Sequence, residues 1–263
     1  MANNPFEVEA IPRRVMPLIF MVDTSGSMGG NKIAALNTAV RESLNEVGEI
    51  SHNNADAQIK VGALEFSSDV QWMYQQLEDS ETFQWQDLQA GGLTSFGAAI
   101  NELNTKLSKS NGFMSEPSGM RAPAIILLSD GEPTDEYKHA LDKIKGNKWF
   151  SIAVKIAIAI GDDANKDVLA EFTGNIESVI TVHDIDQLKK IIRVVSVTSS
   201  MVGSQSSSVG VAKTTNGTTP AVVDPNTLVS DTIKTTINSD SSFSGVDQGG
   251  SSANAGTDDW SNW

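Results

Sequence analysis

Two almost continuous apolar runs of strand length, each followed directly by an aspartate, constrain the fold of this chain most strongly. Residues 18–22 read Leu-Ile-Phe-Met-Val and precede Asp23. Residues 124–129 read Ala-Ile-Ile-Leu-Leu-Ser and precede Asp130. Because apolar side chains point to both sides of such a run, each is typical of a strand buried on both faces of a sheet. Helices must then cover both faces, so the runs predict a mainly parallel sheet in an α/β domain.

Segments with helical periodicity alternate with further strand-like segments. Residues 31–50 carry apolar side chains at i, i+3 and i+7 spacing, as on one face of a helix. The other predicted helices lie near residues 96–107, 137–144, 168–172 and 185–195, and the other predicted strands near 60–66, 70–76, 84–89, 151–160 and 178–182. This order predicts a three-layer, Rossmann-like α/β domain over residues 16–197 with right-handed crossovers.

Two connections refine this topology. The turn at residues 67–69 joins the predicted strands 60–66 and 70–76, and it is too short for the crossover that a parallel pair requires. The sheet is therefore predicted to carry one antiparallel edge strand. Residues 110–121 contain two glycines and one proline, which predicts a surface loop.

The two ends of the chain differ in composition from the predicted domain. Residues 1–15 form a polar lead-in that is predicted to be flexible. In residues 198–263 Ser, Thr, Gly, Asn and Asp dominate, and such a segment buries too little apolar area to offset its ordering entropy. We therefore predict a disordered C-terminal tail there. Within it, residues 222–237 have β-branched content that suits pairing, and residues 258–263 combine acids with tryptophans as docking motifs do.

Composition excludes several classes of function. The chain has no cysteine, so disulfides and thiolate metal sites are excluded. Its net charge of −14 argues against nucleic-acid binding, since phosphate contacts require clustered Lys and Arg. No apolar stretch reaches the ~20 residues that cross a bilayer, and the basic pair before residues 15–22 lacks the cleavage site of a signal peptide. These features predict a soluble, cytoplasmic protein that binds neither nucleic acid nor membrane.

Oxygen-bearing side chains follow the two apolar runs and precede a predicted helix. They are Asp23, Ser25, Ser27, Thr94 and Asp130. Open α/β sheets bind ligands at the carboxyl ends of their strands, and an all-oxygen set suits Mg²⁺, with Mn²⁺ and Ca²⁺ as alternatives. Two carboxylates leave a dication electrophilic enough to take a further anionic oxygen. The competing interpretation is that the aspartates only cap helices.

For the other notable polar residues the sequence predicts structural roles. Asp135 and the pair Asp162-Asp163 are predicted to be turn or cap residues. The three histidines, His52, His139 and His183, have no partner in the sequence that would make them acid–base groups, so they are predicted to be structural or surface residues.

Three phrases of the sequence resemble the von Willebrand factor A domain. They are Asp-Thr-Ser-Gly-Ser at 23–27, Gly-Gly-Leu-Thr-Ser at 91–95 and Leu-Ser-Asp-Gly-Glu-Pro-Thr-Asp at 128–135. Together they form that family's metal-ion-dependent adhesion site. The third phrase is similar to that of the bacterial TerY-type tellurium-resistance proteins. Some of these carry a cysteine-rich zinc-binding extension, which the cysteine-free chain does not match.

The resemblance implies roles for the five residues and for a partner. Ser25, Ser27 and Thr94 would bind the metal directly, and Asp23 and Asp130 directly or through water. The open coordination position would be filled by an Asp or Glu of a partner protein. A scaffold or adaptor in a bacterial stress response or a phospho-signalling system is implied, with an associated protein kinase and protein phosphatase.

Two classes of function remain open from the sequence. The favoured one is a non-enzymatic, metal-dependent binding module. The alternative is a Mg²⁺-dependent phosphohydrolase, which usually needs a nucleophile, an acid–base group and a cationic phosphate clamp. Lys32 is the nearby cation, and the Walker pattern is absent.

The tail suggests two further hypotheses. More than twenty Ser and Thr residues follow Ser199, so a kinase could add charge there. Asp258 or Asp259 could also fill the open metal position, on the same or a neighbouring molecule.

Overall fold

The structure, a computed structural model, describes residues 12–110, 112–116, 118–130, 132–161, 164–204 and 224–249. Residues 1–11 of the predicted lead-in, Asp162-Asp163, and residues 258–263 of the tail lie outside these ranges. No helix within them is both long enough and apolar enough to cross a bilayer.

A mixed, mostly parallel sheet forms the middle layer. Its strands in the described residues are β1 (Arg14–Asp23), β2 (Ala57–Phe66), β3 (Val70–Trp72), β4 (Glu78–Asp79), β5 (Ala124–Ser129), β6 (Val154–Ile160), β7 (Val179–Val182) and β8 (Asp247–Gln248). The order is β3-β2-β1-β5-β6-β7-β8, and β4 also pairs with β2. The central strands β2, β1, β5, β6 and β7 are parallel. The predicted antiparallel edge strand is β3, and β4 and β8 add two further antiparallel pairs.

Helices cover both faces of the sheet, which confirms the three-layer prediction. They are α1 (Asn31–His52), α2 (Phe96–Lys106), α3 (Lys138–Lys145), α4 (Lys148–Ile152), α5 (Lys166–Thr173), α6 (Ile185–Ser204) and α7 (Pro225–Ser239). Along β1, Leu18 and Phe20 pack with α1, α6 and α7, whereas Ile19 and Met21 pack with α2, α3 and α5. This alternation explains why the run has no polar face.

The brief strand predicted at residues 84–89 is wrong. The segment has no regular secondary structure and forms no ladder. The Asn37 side chain of α1 takes the place of a neighbouring strand: its Oδ1 accepts hydrogen bonds from Trp85 Nε1 and Leu88 N, each at 2.9 Å, and its Nδ2 donates to Leu88 O at 3.0 Å. One buried amide thus satisfies both backbone groups of Leu88, which a ladder would otherwise pair.

Two other segments differ from their predictions. The strand predicted at 151–160 begins later, at Val154, because Asn147 caps the short helix α4 by accepting a hydrogen bond from Trp149 N. The surface loop predicted at 110–121 buries Phe113 and Met114 within the core beside α2. The loop is therefore anchored by apolar packing.

The C-terminal part of the chain contains more structure than its composition indicates. Helix α6 continues to Ser204, past the predicted domain end at residue 197. Residues 224–249, predicted to be disordered, form α7 and β8. Val229 and Ile233, one helical turn apart, are buried in the core, and β8 pairs with the edge of β7. The amphipathic face of α7 therefore supplies the apolar burial that the average composition conceals.

Candidate metal centre

The register of two parallel strands brings the first and last predicted ligands to one edge of the sheet. In the pairing of β1 with β5, Val22 lies opposite Leu128. The next residues, Asp23 and Ser129, are therefore neighbours, and Asp130 follows immediately. Because both strands run in the same direction, their polar ends meet at the carboxyl edge.

Asp23 is fully buried, with 0% of its surface exposed, and its carboxylate is held on both oxygens. Oδ1 accepts a hydrogen bond from Ser25 N at 2.9 Å, and Oδ2 accepts one from Ser129 Oγ at 2.7 Å. Burial raises the pKa of the Asp23 carboxyl and the charge of Asp130 raises it further, although the hydrogen bonds from Ser129 and Ser25 lower it. A cation beside this carboxylate would favour its charged form.

Ser25, Ser27 and Asp130 form a continuous hydrogen-bonded chain. The short 3₁₀ turn Gly26–Met28 follows Ser25 and keeps the two serine hydroxyls 3.0 Å apart. Ser27 Oγ donates to Asp130 Oδ1 at 2.8 Å. The structure therefore joins residues that are more than 100 positions apart in the sequence into one cluster of oxygens.

Lys32 completes the contacts of Asp130. Its Nζ lies 2.6 Å from Asp130 Oδ2, and the Asp130 side chain is fully buried while that of Lys32 is 21% exposed. Sequence reasoning identified Lys32 as a nearby cation but did not pair it with Asp130, and it missed Ser129. The signal for Ser129 is its position opposite Asp23, which is visible only once the strand register is known.

The loop that carries Thr94 packs directly against the loop after β1. Gly26 N donates to Gly92 O at 3.1 Å and Gly91 N donates to Thr24 O at 2.8 Å. Thr94 is buried, and its backbone is tied to Thr134, whose N donates to Thr94 O at 2.9 Å. Thr94 thus lies on a loop fixed beside the serines.

Gly92 has a steric reason to lack a side chain. Its φ is +85°, and a Cβ there would lie 2.6 Å from Ser68 Oγ. The same hydroxyl accepts a hydrogen bond from Leu93 N at 3.1 Å. This close approach fixes the loop immediately before Thr94.

Asp135 caps a helix, as predicted. Its Oδ1 and Oδ2 accept hydrogen bonds from Gly97 N at 2.9 Å and Ala98 N at 3.0 Å, at the start of α2. It therefore holds the helix that follows Thr94, and it is separate from the oxygen cluster.

The chemistry of the donor set fits a hard cation. Nowhere in the described ranges do three or more His, Cys, Asp or Glu side chains gather in a way that could hold a metal ion. An ion in this centre would therefore depend on serine and threonine hydroxyls in addition to two carboxylates. Oxygen-only sets of this kind suit Mg²⁺, Mn²⁺ or Ca²⁺ better than softer metals.

Comparison with known proteins gives a family and a set of similar folds. The family model for the von Willebrand factor type A domain matches residues 18–194, whereas the search of curated proteins gives no match. A von Willebrand factor type A protein from Catenulispora acidiphila is 18% identical, with a TM-score of 0.52 over 71% of this chain and 43% of that chain.

Two further solved structures have similar folds. Proximal thread matrix protein 1 from the mussel byssus, with a zinc-occupied MIDAS motif, is 16% identical, with a TM-score of 0.53 over 72% of this chain and 48% of that one. The pilus adhesin SpaC from Lactobacillus rhamnosus GG is 15% identical, with a TM-score of 0.55 over 71% of this chain and 31% of that chain. The chain spans less than half the length of these structures.

Proposed function

This chain belongs to the von Willebrand factor type A domain family, whose model matches well over half of it, and we propose that it is a non-enzymatic, metal-dependent protein-binding module. The observation that carries the proposal is the hydrogen-bonded oxygen cluster of Ser25, Ser27 and Asp130 beside Asp23. Ser25, Ser27 and Thr94 would hold the ion directly, and the two aspartates directly or through water. Mg²⁺ is the expected ion, with Mn²⁺ and Ca²⁺ as alternatives. A zinc-occupied MIDAS motif in one similar fold supports a metal at this position.

The partner that fits the centre presents an Asp or Glu side chain. A bound dication supplies a Lewis-acidic position for an anionic oxygen. Next to Thr94, Leu93 is 61% exposed, although its backbone N is fixed by Ser68. An exposed apolar side chain beside a polar centre is a common arrangement in protein interfaces. Both features favour a protein ligand that combines a carboxylate with apolar surface.

The phosphohydrolase alternative finds less support in the geometry. It needs a cation directed towards the substrate phosphate, but the Lys32 ammonium contacts Asp130. The Asp23 carboxylate accepts hydrogen bonds on both oxygens, which reduces its nucleophilicity. Turnover of p-nitrophenyl phosphate that is abolished by Asp23→Asn would overturn the non-enzymatic proposal.

The biological setting follows from the TerY-type resemblance of residues 128–135. We propose a cytoplasmic scaffold or adaptor in a bacterial stress response or phospho-signalling system, which works with a protein kinase and a protein phosphatase. The Asp or Glu of one such partner would complete the metal centre. Tellurite sensitivity of a deletion strain, restored by the wild-type gene but not by Asp23→Ala, is the expected genetic result.

Metal binding itself is tested by calorimetry with Mg²⁺, Mn²⁺ and Ca²⁺. We expect the wild type to bind, the double variant Asp23→Ala/Ser25→Ala to lose binding, and Asp231→Ala, an exposed aspartate on α7, to behave as the wild type. Capture of a partner from native cell extract should require both the ion and the intact centre. A partner that is captured equally by the double variant, or in the presence of EDTA, would contradict the proposal.

A further inference from the structure

The contact between Lys32 and Asp130 places a fixed positive charge inside the metal centre. Lys32 is the second residue of α1, and its Nζ lies 2.6 Å from Asp130 Oδ2. The other oxygen of Asp130 accepts the hydrogen bond from Ser27. Both oxygens of this buried carboxylate therefore have partners from the protein itself, and one of the partners is a cation.

This ammonium changes the charge balance of the centre. Asp23 and Asp130 contribute two negative charges and Lys32 one positive charge, so the centre alone carries one net negative charge. A dication raises the total to one net positive charge, which a single carboxylate from outside then neutralises. Without Lys32 the loaded centre would already be neutral, and its attraction for an anion would be weaker.

The same ammonium opposes the metal. Repulsion between Lys32 and a dication at this centre would weaken metal binding, because the Lys32 ammonium already contacts the buried Asp130 carboxylate. The lysine also stabilises the buried Asp130 when no ion is bound, since an unpaired buried carboxylate is unfavourable. Lys32 therefore favours the metal-free centre over the loaded one.

We propose that Lys32 sets the charge of the metal centre, so that it lowers the affinity for the divalent ion and raises the affinity of the loaded centre for a carboxylate ligand. The inference rests on the proposed function, because it concerns the same centre. It predicts that one substitution moves the two affinities in opposite directions. Substitution of a lysine with a purely structural role would not change the metal affinity and the carboxylate affinity in opposite directions.

The test compares Lys32→Met, which keeps the length and removes the charge, with Lys32→Arg, which keeps the charge. Calorimetry with MgCl₂ should give an about tenfold lower Kd for Lys32→Met, since partial exposure of the lysine limits the effect, and a Kd near the wild-type value for Lys32→Arg. Sodium acetate, titrated into magnesium-saturated protein and followed through the backbone amide signals of Ser25, Ser27 and Thr94, should bind several-fold more weakly to Lys32→Met.

Thermal unfolding distinguishes this role of Lys32 from a simple folding defect of the variant. Lys32→Met should lower the Tm of the metal-free protein, and saturating Mg²⁺ should raise its Tm by more than it raises that of the wild type. An unchanged magnesium Kd, or acetate and magnesium affinities that move together, would overturn the role of Lys32 while leaving the proposed function intact. Failure of the wild type and both variants to bind any of the three ions would overturn the proposed function and this inference with it.

Discussion

Serine hydroxyls in two regions of the molecule have opposite hydrogen-bonding environments. At the metal centre, the hydroxyls of Ser27 and Ser129 donate to buried carboxylates at 2.8 and 2.7 Å. On the buried face of α6, the hydroxyls of Ser196, Ser199 and Ser200 have no hydrogen-bond partner within the described residues. The same residue type therefore has two physical roles.

The difference shows what converts a serine into a candidate ligand. A hydroxyl beside a carboxylate is oriented, and its lone pairs face a charged cluster that can be completed by a cation. The α6 serines instead act as small side chains that allow close packing. At the same end of α6, a Cβ added to Gly203 would lie only 2.4 Å from the Met16 side chain of β1. In that region small residues allow α6 to lie close to β1.

If helices α6 and α7 serve packing alone, a substitution in their buried faces should lower stability and leave magnesium binding unchanged. Ile233 on α7 is fully buried, and truncation of such a residue costs about 3 kcal/mol. Ile233→Ala should therefore lower the free energy of unfolding in urea by about this amount. Its magnesium Kd at a temperature where it remains folded should equal that of the wild type. A changed Kd would show that the two regions are coupled.

The converse substitution removes two predicted ligands of the metal centre. We expect Ser25→Ala/Ser27→Ala to raise the magnesium Kd at least about 100-fold, since loss of one group that merely orients a metal ligand already costs roughly 10–100-fold. Because Ser27 Oγ donates to the buried Asp130 carboxylate, the unfolding free energy without metal should also fall, by about 2 kcal/mol, and the Kd is therefore measured where the variant remains folded. Ser239→Ala at the end of α7, an exposed position, is the matched control and should bind magnesium normally.

A matched pair of single serine variants tests the comparison most directly. Ser129→Ala removes a hydrogen bond to the buried Asp23 carboxylate and should destabilise the protein by about 2 kcal/mol. Ser199→Ala removes a buried hydroxyl without a partner in the described chain and should stabilise it by about 1 kcal/mol. Urea unfolding with chelator present measures both. Shifts of the same sign would mean that the two serine environments are equivalent.

Much of the domain could be predicted because its signals are local. The strands β1 and β5 are apolar on both faces, and the residue after each is an aspartate, so the proximity of Asp23 and Asp130 follows from parallel pairing alone. The contacts of Ser129 and Lys32 depend on strand register and on the entry angle of α1. Neither quantity is encoded in a local pattern.

The errors have equally specific causes. Residues 84–89 have strand-like composition, but the side-chain amide of Asn37, rather than a neighbouring strand, pairs the backbone N and O of Leu88. Average composition does not indicate α7, because Val229 and Ile233 carry its apolar face within a segment that is otherwise rich in Ser and Thr. Average composition describes a whole segment, whereas packing requires only two well-spaced apolar side chains. The metal-binding roles of the five predicted ligands stay predictions until an ion is titrated.

The smallest expected effect is the pH dependence of the metal-free centre. Burial raises the pKa of Asp23 above its ordinary value of 3.8, so the folded protein binds this proton more tightly than the unfolded chain does. The contribution of Asp23 to stability is therefore fully present below the unfolded pKa and is lost as the pH rises through the folded value. With EDTA present, the wild type should lose stability relative to Asp23→Asn as the pH is raised from about 4 towards neutrality.

Saturating Mg²⁺ should remove this loss in the wild type, because the ion stabilises the charged carboxylate, and it should have little effect on Asp23→Asn. Urea unfolding at closely spaced pH values, with and without Mg²⁺, gives all four curves. A difference between wild type and variant that stays constant with pH would show that Asp23 is no more costly to ionise than a surface carboxylate. Ser129 would then donate to a carboxylate whose ionisation burial does not oppose. In that case a buried charge would not explain why the hydroxyl of Ser129 is paired while those of the α6 serines are not.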